Sequence, residues 1–141
     1  MKRKASALWR GNLKDGKGTI STESGVLSDT QYSFTSRFAE GKGTNPEELI
    51  AAAHAGCFSM ALSNELGVAG LTPASISTAA AVTLERTAAG FAITAVHMDV
   101  TARVPGASQQ AFETAAAAAK SGCPVSKVLK AEITMNAKLE S

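Results

Sequence analysis

Two cysteines are the residues of this 141-residue chain best suited to redox chemistry. Cys123 precedes Pro124, which favours the first position of a helix, so we expect Cys123 to be the N-cap residue. The free backbone amides and the helix dipole at that position favour a thiolate. Cys57 lies among apolar residues in the middle of a predicted helix, where a cysteine is commonly a small buried hydrophobe. On this reasoning, Cys123 is the more acidic thiol.

The same cysteines could instead bind a metal together with the two histidines. His54 and Cys57 are three residues apart on one helix face, and His97 and Cys123 would complete a four-ligand zinc site. Zinc ligands usually come as two pairs at short spacing, and this chain has one such pair. We therefore expect no metal. We also expect no cofactor, because the sequence has no phosphate-binding loop, dinucleotide fingerprint or nucleophile elbow.

Three charged residues are candidates for assisting a thiol. The alternation of residues 31–38 predicts a strand, with Arg37 near its end on the polar face. Asn45 predicts a helix start, and Glu48 occupies the position from which an acid completes a capping box. Glu47 has no such capping role, so it is the acid more available for chemistry.

The elements that must position these residues follow from hydrophobic periodicity and turn residues. We predict strands near residues 8–9, 18–23, 31–38, 76–84, 91–104 and 133–139, and helices over 46–66, 109–120 and 122–130. The helix over 46–66 is apolar on nearly all sides and should lie in the core. The fold class is α+β, with mainly antiparallel sheets around this long central helix.

The composition narrows the possible partners. With 141 residues the chain fits one domain, residues 1–141, and 45% hydrophobic residues exclude a disordered chain. A net charge of +2 argues against nucleic acid or an anionic membrane as a partner. No targeting or membrane-spanning segment is apparent, so we expect a cytoplasmic protein with reduced thiols. Only 18% of residues are charged, which suggests that a partner chain covers part of the surface.

Three segments resemble the OsmC/Ohr family, named for osmotically inducible protein C and organic hydroperoxide resistance protein. They are residues 43–49 (GTNPEEL), 52–59 (AAHAGCFS) and 119–126 (AKSGCPVS). The similarity to the OsmC branch extends over nearly the whole chain. It implies an OsmC-like fold in an intertwined homodimer. It also implies a thiol-dependent peroxidase that acts on organic hydroperoxides, and less efficiently on hydrogen peroxide, in oxidative and osmotic stress defence.

The resemblance also implies roles for individual residues. Cys57 would be the peroxidatic cysteine and Cys123 the resolving cysteine, which reverses the ranking by acidity. Glu47 would be the active-site glutamate and Arg37 the active-site arginine, with Arg10 as the alternative arginine. A dithiol, as in a lipoyl group on a carrier protein, would reopen the disulfide.

Helix geometry adds an expectation about the assembly. Residues ten positions apart, as Glu47 and Cys57 are, lie about 15 Å apart along a straight helix and about 80° apart around it. We therefore expect Glu47 and Arg37 to serve Cys57 of a partner subunit across a two-fold interface. Two other hypotheses about function remain open. One is a non-enzymatic module that binds a small apolar ligand, and the other is a permanent structural bridge between the two cysteines.

Overall fold

A computed structural model describes residues 1–140 of the chain. It contains two compact units, one covering Met1–Leu49 and the other beginning at Ile50. The single domain expected from the length stays a prediction. In chain order the elements are β1 (Ala5–Arg10), β2 (Lys17–Thr22), β3 (Thr30–Tyr32), α1 (Phe34–Phe38), α2 (Pro46–Val68), β4 (Ser75–Thr87), β5 (Gly90–Arg103), α3 (Gln109–Gly122), α4 (Pro124–Val128) and β6 (Glu132–Glu140).

The first unit contains an antiparallel sheet in the order β1-β2-β3. The turn between β1 and β2 is closed by Asn12, whose side chain accepts a hydrogen bond from the Asp15 amide at 2.8 Å. A Cβ on the buried Gly18 would overlap the rings of Trp9 and Tyr32. The glycine therefore lets these two rings come together, with centroids 5.4 Å apart.

The strand predicted over residues 31–38 is wrong after Tyr32, because helix α1 follows. Ser33 is the N-cap of α1, and its hydroxyl accepts a hydrogen bond from the Ser36 amide. The Ser36 hydroxyl in turn accepts one from the Ser33 amide, at 2.8 Å. These reciprocal bonds form a capping box, which stabilises a helical turn that the alternating hydrophobic pattern does not reveal. Arg37 thus lies on a helix.

Helix α2 confirms the predicted start, since the Asn45 side chain caps it by accepting a hydrogen bond from the Glu48 amide at 2.8 Å. The carboxylate of Glu48 does not return to the cap but accepts a hydrogen bond from the Thr44 hydroxyl, also at 2.8 Å. The helix is continuous from Pro46 to Val68.

The two long faces of α2 differ in their surroundings. Phe58, Leu62 and Leu66 are completely buried, so the expectation of a core helix is confirmed for this face. The opposite face carries Gly56 and Met60, and the Met60 side chain is 77% exposed. One apolar face of the helix is therefore uncovered in the single chain.

The second unit builds its core from α2, α3 and a sheet in the order β4-β5-β6. Strands β4 and β5 are antiparallel, whereas β5 and β6 are parallel. Alternate residues of β5, including Val96, Met98 and Val100, face the core, together with Phe112 of α3. The α+β class with mainly antiparallel sheets is confirmed, with one parallel pair added. In residues 1–140 no helix is both long and apolar enough to cross a membrane.

Gly43, just before α2, is expected to tolerate no side chain. Its φ is +103°, and a Cβ there would overlap the backbone carbonyl of Gln31. Left-handed backbone adds about 1–2 kcal/mol for alanine. With the overlap included, we expect Gly43→Ala to lower the free energy of unfolding by about 3 kcal/mol, measured by urea denaturation.

Gly25→Ala is the matched control for this prediction. Gly25 also has a positive φ, +78°, but a Cβ there would meet nothing within 4 Å. Gly25→Ala should therefore lower the free energy of unfolding by the backbone strain alone, about 1 kcal/mol. Equal losses in the two variants would show that the overlap with Gln31 has no energetic consequence.

Candidate active site

Arg37 and Glu47 form a two-pronged ion pair in the first unit. Arg37 Nη2 donates to Glu47 Oε1 at 2.8 Å. Its Nε donates to Oε1 at 3.1 Å and to Oε2 at 3.3 Å. The side chain of Glu47 is 10% exposed and that of Arg37 is 38% exposed. Several charge-assisted bonds to one planar guanidinium fix its orientation while part of the cation stays accessible.

Hydrogen bonds between α1 and the residues before α2 hold this pair together. The Ser36 hydroxyl donates to the Thr44 carbonyl at 2.8 Å. The Asn45 side-chain amide donates to the Ser36 carbonyl at 3.0 Å. One helix therefore presents Arg37 to the first turn of the next, where Glu47 lies. Arg10, the alternative arginine, ends β1 and is exposed.

Cys57 and Cys123 come together in the second unit. Cys57 lies on α2, and Cys123 joins α3 to α4 as the N-cap of α4. Both are free thiols, and their sulfur atoms are 2.8 Å apart. Cys123 is completely buried, whereas Cys57 is partly exposed. A disulfide between them would need only a small movement, because the two side chains already point at each other.

The surroundings shift the pKa values of the two thiols in opposite directions. Burial raises the pKa of Cys57, and its hydrogen bond with Cys123 raises it further. Burial also acts to raise the pKa of Cys123, but hydrogen bonds from Cys57, Ser126 and Val125 outweigh it, so the pKa of Cys123 is lowered. Within one chain Cys123 is therefore the more acidic thiol, which agrees with its N-cap position.

A buried histidine lies beside the thiol pair, and sequence reasoning did not find its partner. His54 is completely buried, and its Nε2 lies 2.7 Å from the Ser126 hydroxyl. In the described chain its Nδ1 has no hydrogen-bond partner. Burial lowers the pKa of His54, which favours the neutral ring. The spacing of a helical histidine gives no signal that a serine 72 residues later will contact it.

The four residues considered for zinc do not form a cluster. His97 lies on β5 with its Nδ1 2.6 Å from the Thr134 hydroxyl and its Nε2 3.2 Å from Asp99. Over residues 1–140, no three His, Cys, Asp or Glu side chains are grouped as a metal site requires. The zinc alternative therefore lacks its ligand set in this structure.

Comparison with known proteins adds to this geometry. Residues 39–138 match the family model described as OsmC-like protein. The chain is 56% identical over 139 residues to Peroxiredoxin OsmC of Escherichia coli strain K12, covering 99% of this chain and 97% of that protein. The chain belongs to the OsmC family. The identity to Peroxiredoxin OsmC confirms the OsmC branch, on which the sequence resemblance had placed the chain.

Solved structures of OsmC/Ohr-type proteins share the fold. The organic hydroperoxide resistance protein OhrB of Bacillus subtilis matches with a TM-score of 0.69 at 24% identity, covering 97% of this chain and 98% of that one. The organic hydroperoxide resistance protein OsmC of Legionella pneumophila matches with a TM-score of 0.67 at 25% identity, covering 98% and 97%. The OsmC-like fold expected from the sequence is thereby confirmed.

Proposed function

We propose that this OsmC-family chain is a thiol-dependent peroxidase that reduces organic hydroperoxides in defence against oxidative and osmotic stress. The observation that carries the proposal is the 2.8 Å separation of the Cys57 and Cys123 sulfur atoms. A relative 56% identical over nearly the full length is named a peroxiredoxin, which supports the same activity. Hydrogen peroxide would be a poorer substrate, as the resemblance to the OsmC/Ohr family implies.

The reaction starts with Cys57, the sulfur that is partly exposed. Its thiolate attacks one peroxide oxygen, the O–O bond breaks, and the alkoxide leaves and takes up a proton to become the alcohol. Cys57 is oxidised to sulfenic acid. The thiolate of Cys123 then attacks the Cys57 sulfur, hydroxide leaves and is protonated to water, and a disulfide forms. A dithiol reduces this disulfide and is itself oxidised to a disulfide.

Arg37 would activate Cys57. Burial raises the pKa of Cys57, which disfavours the thiolate. A cation beside the sulfur would stabilise the thiolate and the departing alkoxide. Glu47 would hold the guanidinium through the hydrogen bonds described above. Arg37 is favoured over Arg10 because it has this buried carboxylate as a partner.

We place Arg37 and Glu47 of one subunit at Cys57 of the other. Helix α2 runs without a break from Pro46 to Val68, and positions ten residues apart on an unbroken helix differ by about 15 Å along its axis. The exposed apolar face of α2, with Met60 at 77% exposure, supports an interface with a second copy. An intertwined homodimer with two-fold symmetry would bring Arg37 and Glu47 to Cys57 of the partner subunit. It would also cover the exposed apolar face of α2.

The reductant would be a dithiol, with a lipoyl group on a carrier protein as the leading candidate, since one dithiol molecule supplies both electrons needed. We place the protein in the cytoplasm, where glutathione and thioredoxin keep thiols reduced.

The test is turnover of cumene hydroperoxide by the purified protein with dihydrolipoamide or dithiothreitol. We expect consumption with both reductants and slower consumption of hydrogen peroxide. Protein that consumes no peroxide with either dithiol would instead favour the alternative, a non-enzymatic module that binds a small apolar ligand.

A further inference from the structure

The buried pair of His54 and Ser126 has no part in the mechanism above. His54 is completely buried and Ser126 is 8% exposed, and their Nε2 and Oγ atoms are 2.7 Å apart. A neutral imidazole and a hydroxyl can share this bond in either direction. The direction matters, because it decides whether the Ser126 hydrogen is free to reach another acceptor.

The unpartnered ring nitrogen settles the direction. His54 Nδ1 is buried and has no partner in the described chain. A buried N–H without an acceptor is rarer and less favourable than a buried lone pair without a donor. The proton therefore lies on Nε2, which donates to Ser126 Oγ. The Ser126 hydroxyl hydrogen is then available for another acceptor.

Cys123, three residues before Ser126, offers a buried sulfur as an acceptor. Cys123 is the N-cap of α4 and Ser126 is the third residue of that helix. A side chain at the third position reaches back toward the N-cap residue. The Ser126 side chain makes a hydrogen bond with Cys123 that lowers the pKa of that thiol. A chain of donors from His54 through Ser126 would therefore end at the buried sulfur.

We propose that Ser126, held in place by His54, donates its hydroxyl hydrogen to the Cys123 sulfur and makes that sulfur the leaving group when the Cys57–Cys123 disulfide is reduced. Ser126 is the catalytic donor and His54 is a positioning residue. Because Cys123 is completely buried and Cys57 is partly exposed, the reductant must attack Cys57. The inference rests on the disulfide of the proposed function.

Reduction of the disulfide takes two thiol–disulfide exchanges. One thiolate of the dithiol bonds to the Cys57 sulfur, and the S–S bond breaks with its electron pair leaving on Cys123. The departing thiolate accepts the hydrogen bond from Ser126. The second thiolate of the dithiol then attacks the mixed disulfide and releases Cys57, so the dithiol is oxidised and the protein reduced. A lower pKa of Cys123 favours its departure when the dithiol attacks the Cys57 sulfur.

The equilibrium between the protein disulfide and dithiothreitol tests this role without any peroxide. The full-length protein is oxidised with diamide, equilibrated with dithiothreitol, acid-quenched and alkylated after denaturation, and its thiols are counted by mass spectrometry. Ser126→Ala should shift the equilibrium constant about tenfold toward the disulfide, which corresponds to a potential about 30 mV lower. Ser126→Thr, which keeps the hydroxyl, should restore the wild-type value.

His54 is tested in the same equilibrium. His54→Leu should shift the constant in the same direction, because Ser126 loses its donor, while His54→Gln retains an N–H and should shift it less. Thr78→Val is the matched control, since it removes a hydroxyl that bonds to Ser59 at 2.8 Å in the same unit. It should leave the constant within twofold of wild type.

Two outcomes would overturn the inference. One is an equilibrium constant for Ser126→Ala within twofold of wild type, and the other is a shift of equal size in Thr78→Val. A wild-type protein that consumes no hydroperoxide would refute the proposed function. The equilibrium between the protein disulfide and dithiothreitol would still test the role of Ser126.

Discussion

Replacing Cys57 with serine is expected to abolish the turnover of cumene hydroperoxide. The serine hydroxyl is far less acidic than a thiol and cannot form the sulfenic acid on which the cycle depends. The buried Cys123 cannot take over, because its side chain is completely inaccessible to the substrate. Turnover with dithiothreitol should fall by at least about 10³-fold, as for the loss of any activated nucleophile.

Cys123→Ser is the matched variant, since it makes the same atomic change at the other sulfur of the pair. It should still consume one equivalent of peroxide per chain in a single turnover, and mass spectrometry should find the added oxygen on Cys57. The order of acidity within one chain makes this comparison informative, because Cys123 has the lowered pKa. If Cys57→Ser instead retained the single turnover and Cys123→Ser lost it, the two roles would have to be exchanged.

Arg37→Met is expected to have the second largest effect. The substitution keeps much of the volume of the side chain but removes the cation that would stabilise the Cys57 thiolate and the departing alkoxide. Removing one such donor typically lowers a rate by 10²–10³-fold, so we expect about a hundredfold loss in the rate of single-turnover oxidation. Stopped-flow measurement of peroxide consumption by reduced protein gives this rate directly.

Arg86→Met is a matched control for the charge. Arg86 lies over the ring of Phe91 at 5.9 Å, much as Arg37 lies over the ring of Phe38 at 5.2 Å. The Arg86→Met variant should retain the wild-type rate of single-turnover oxidation. An equal loss in both variants would mean that net charge, rather than a cation at the thiol, controls the reaction.

Mixing two inactive variants tests whether Arg37 acts on the partner subunit. Arg37→Met retains Cys57, and Cys57→Ser retains Arg37, so a mixed dimer would contain one complete site. After denaturation and refolding together in equal amounts, half of the dimers should be mixed, and each mixed dimer has one complete site out of two. About a quarter of the wild-type activity should therefore return. No recovery, with mixed dimers present, would place Arg37 and Cys57 of one site in the same chain.

Local sequence signals were sufficient for most elements of the fold. Asn45 followed by Pro46 marks the start of α2, because a side-chain oxygen can accept a backbone hydrogen bond there and proline needs no donor. The same signal identified Cys123 as an N-cap residue. The prediction was wrong at α1, where alternating apolar residues from Tyr32 onward indicated a strand. A short helix depends on a few capping bonds, such as those of Ser33, which a periodicity does not contain.

The linear sequence identified the family and most of the secondary structure, and it predicted that the two thiols are the chemical centre. The folded chain is needed to see that the sulfur atoms lie 2.8 Å apart, that Arg37 is held by Glu47, and that His54 bonds to Ser126. Periodicity and capping are local interactions, so a linear sequence displays them directly. Contacts between residues far apart in the chain depend on how helices and sheets pack, and packing is a property of the whole fold.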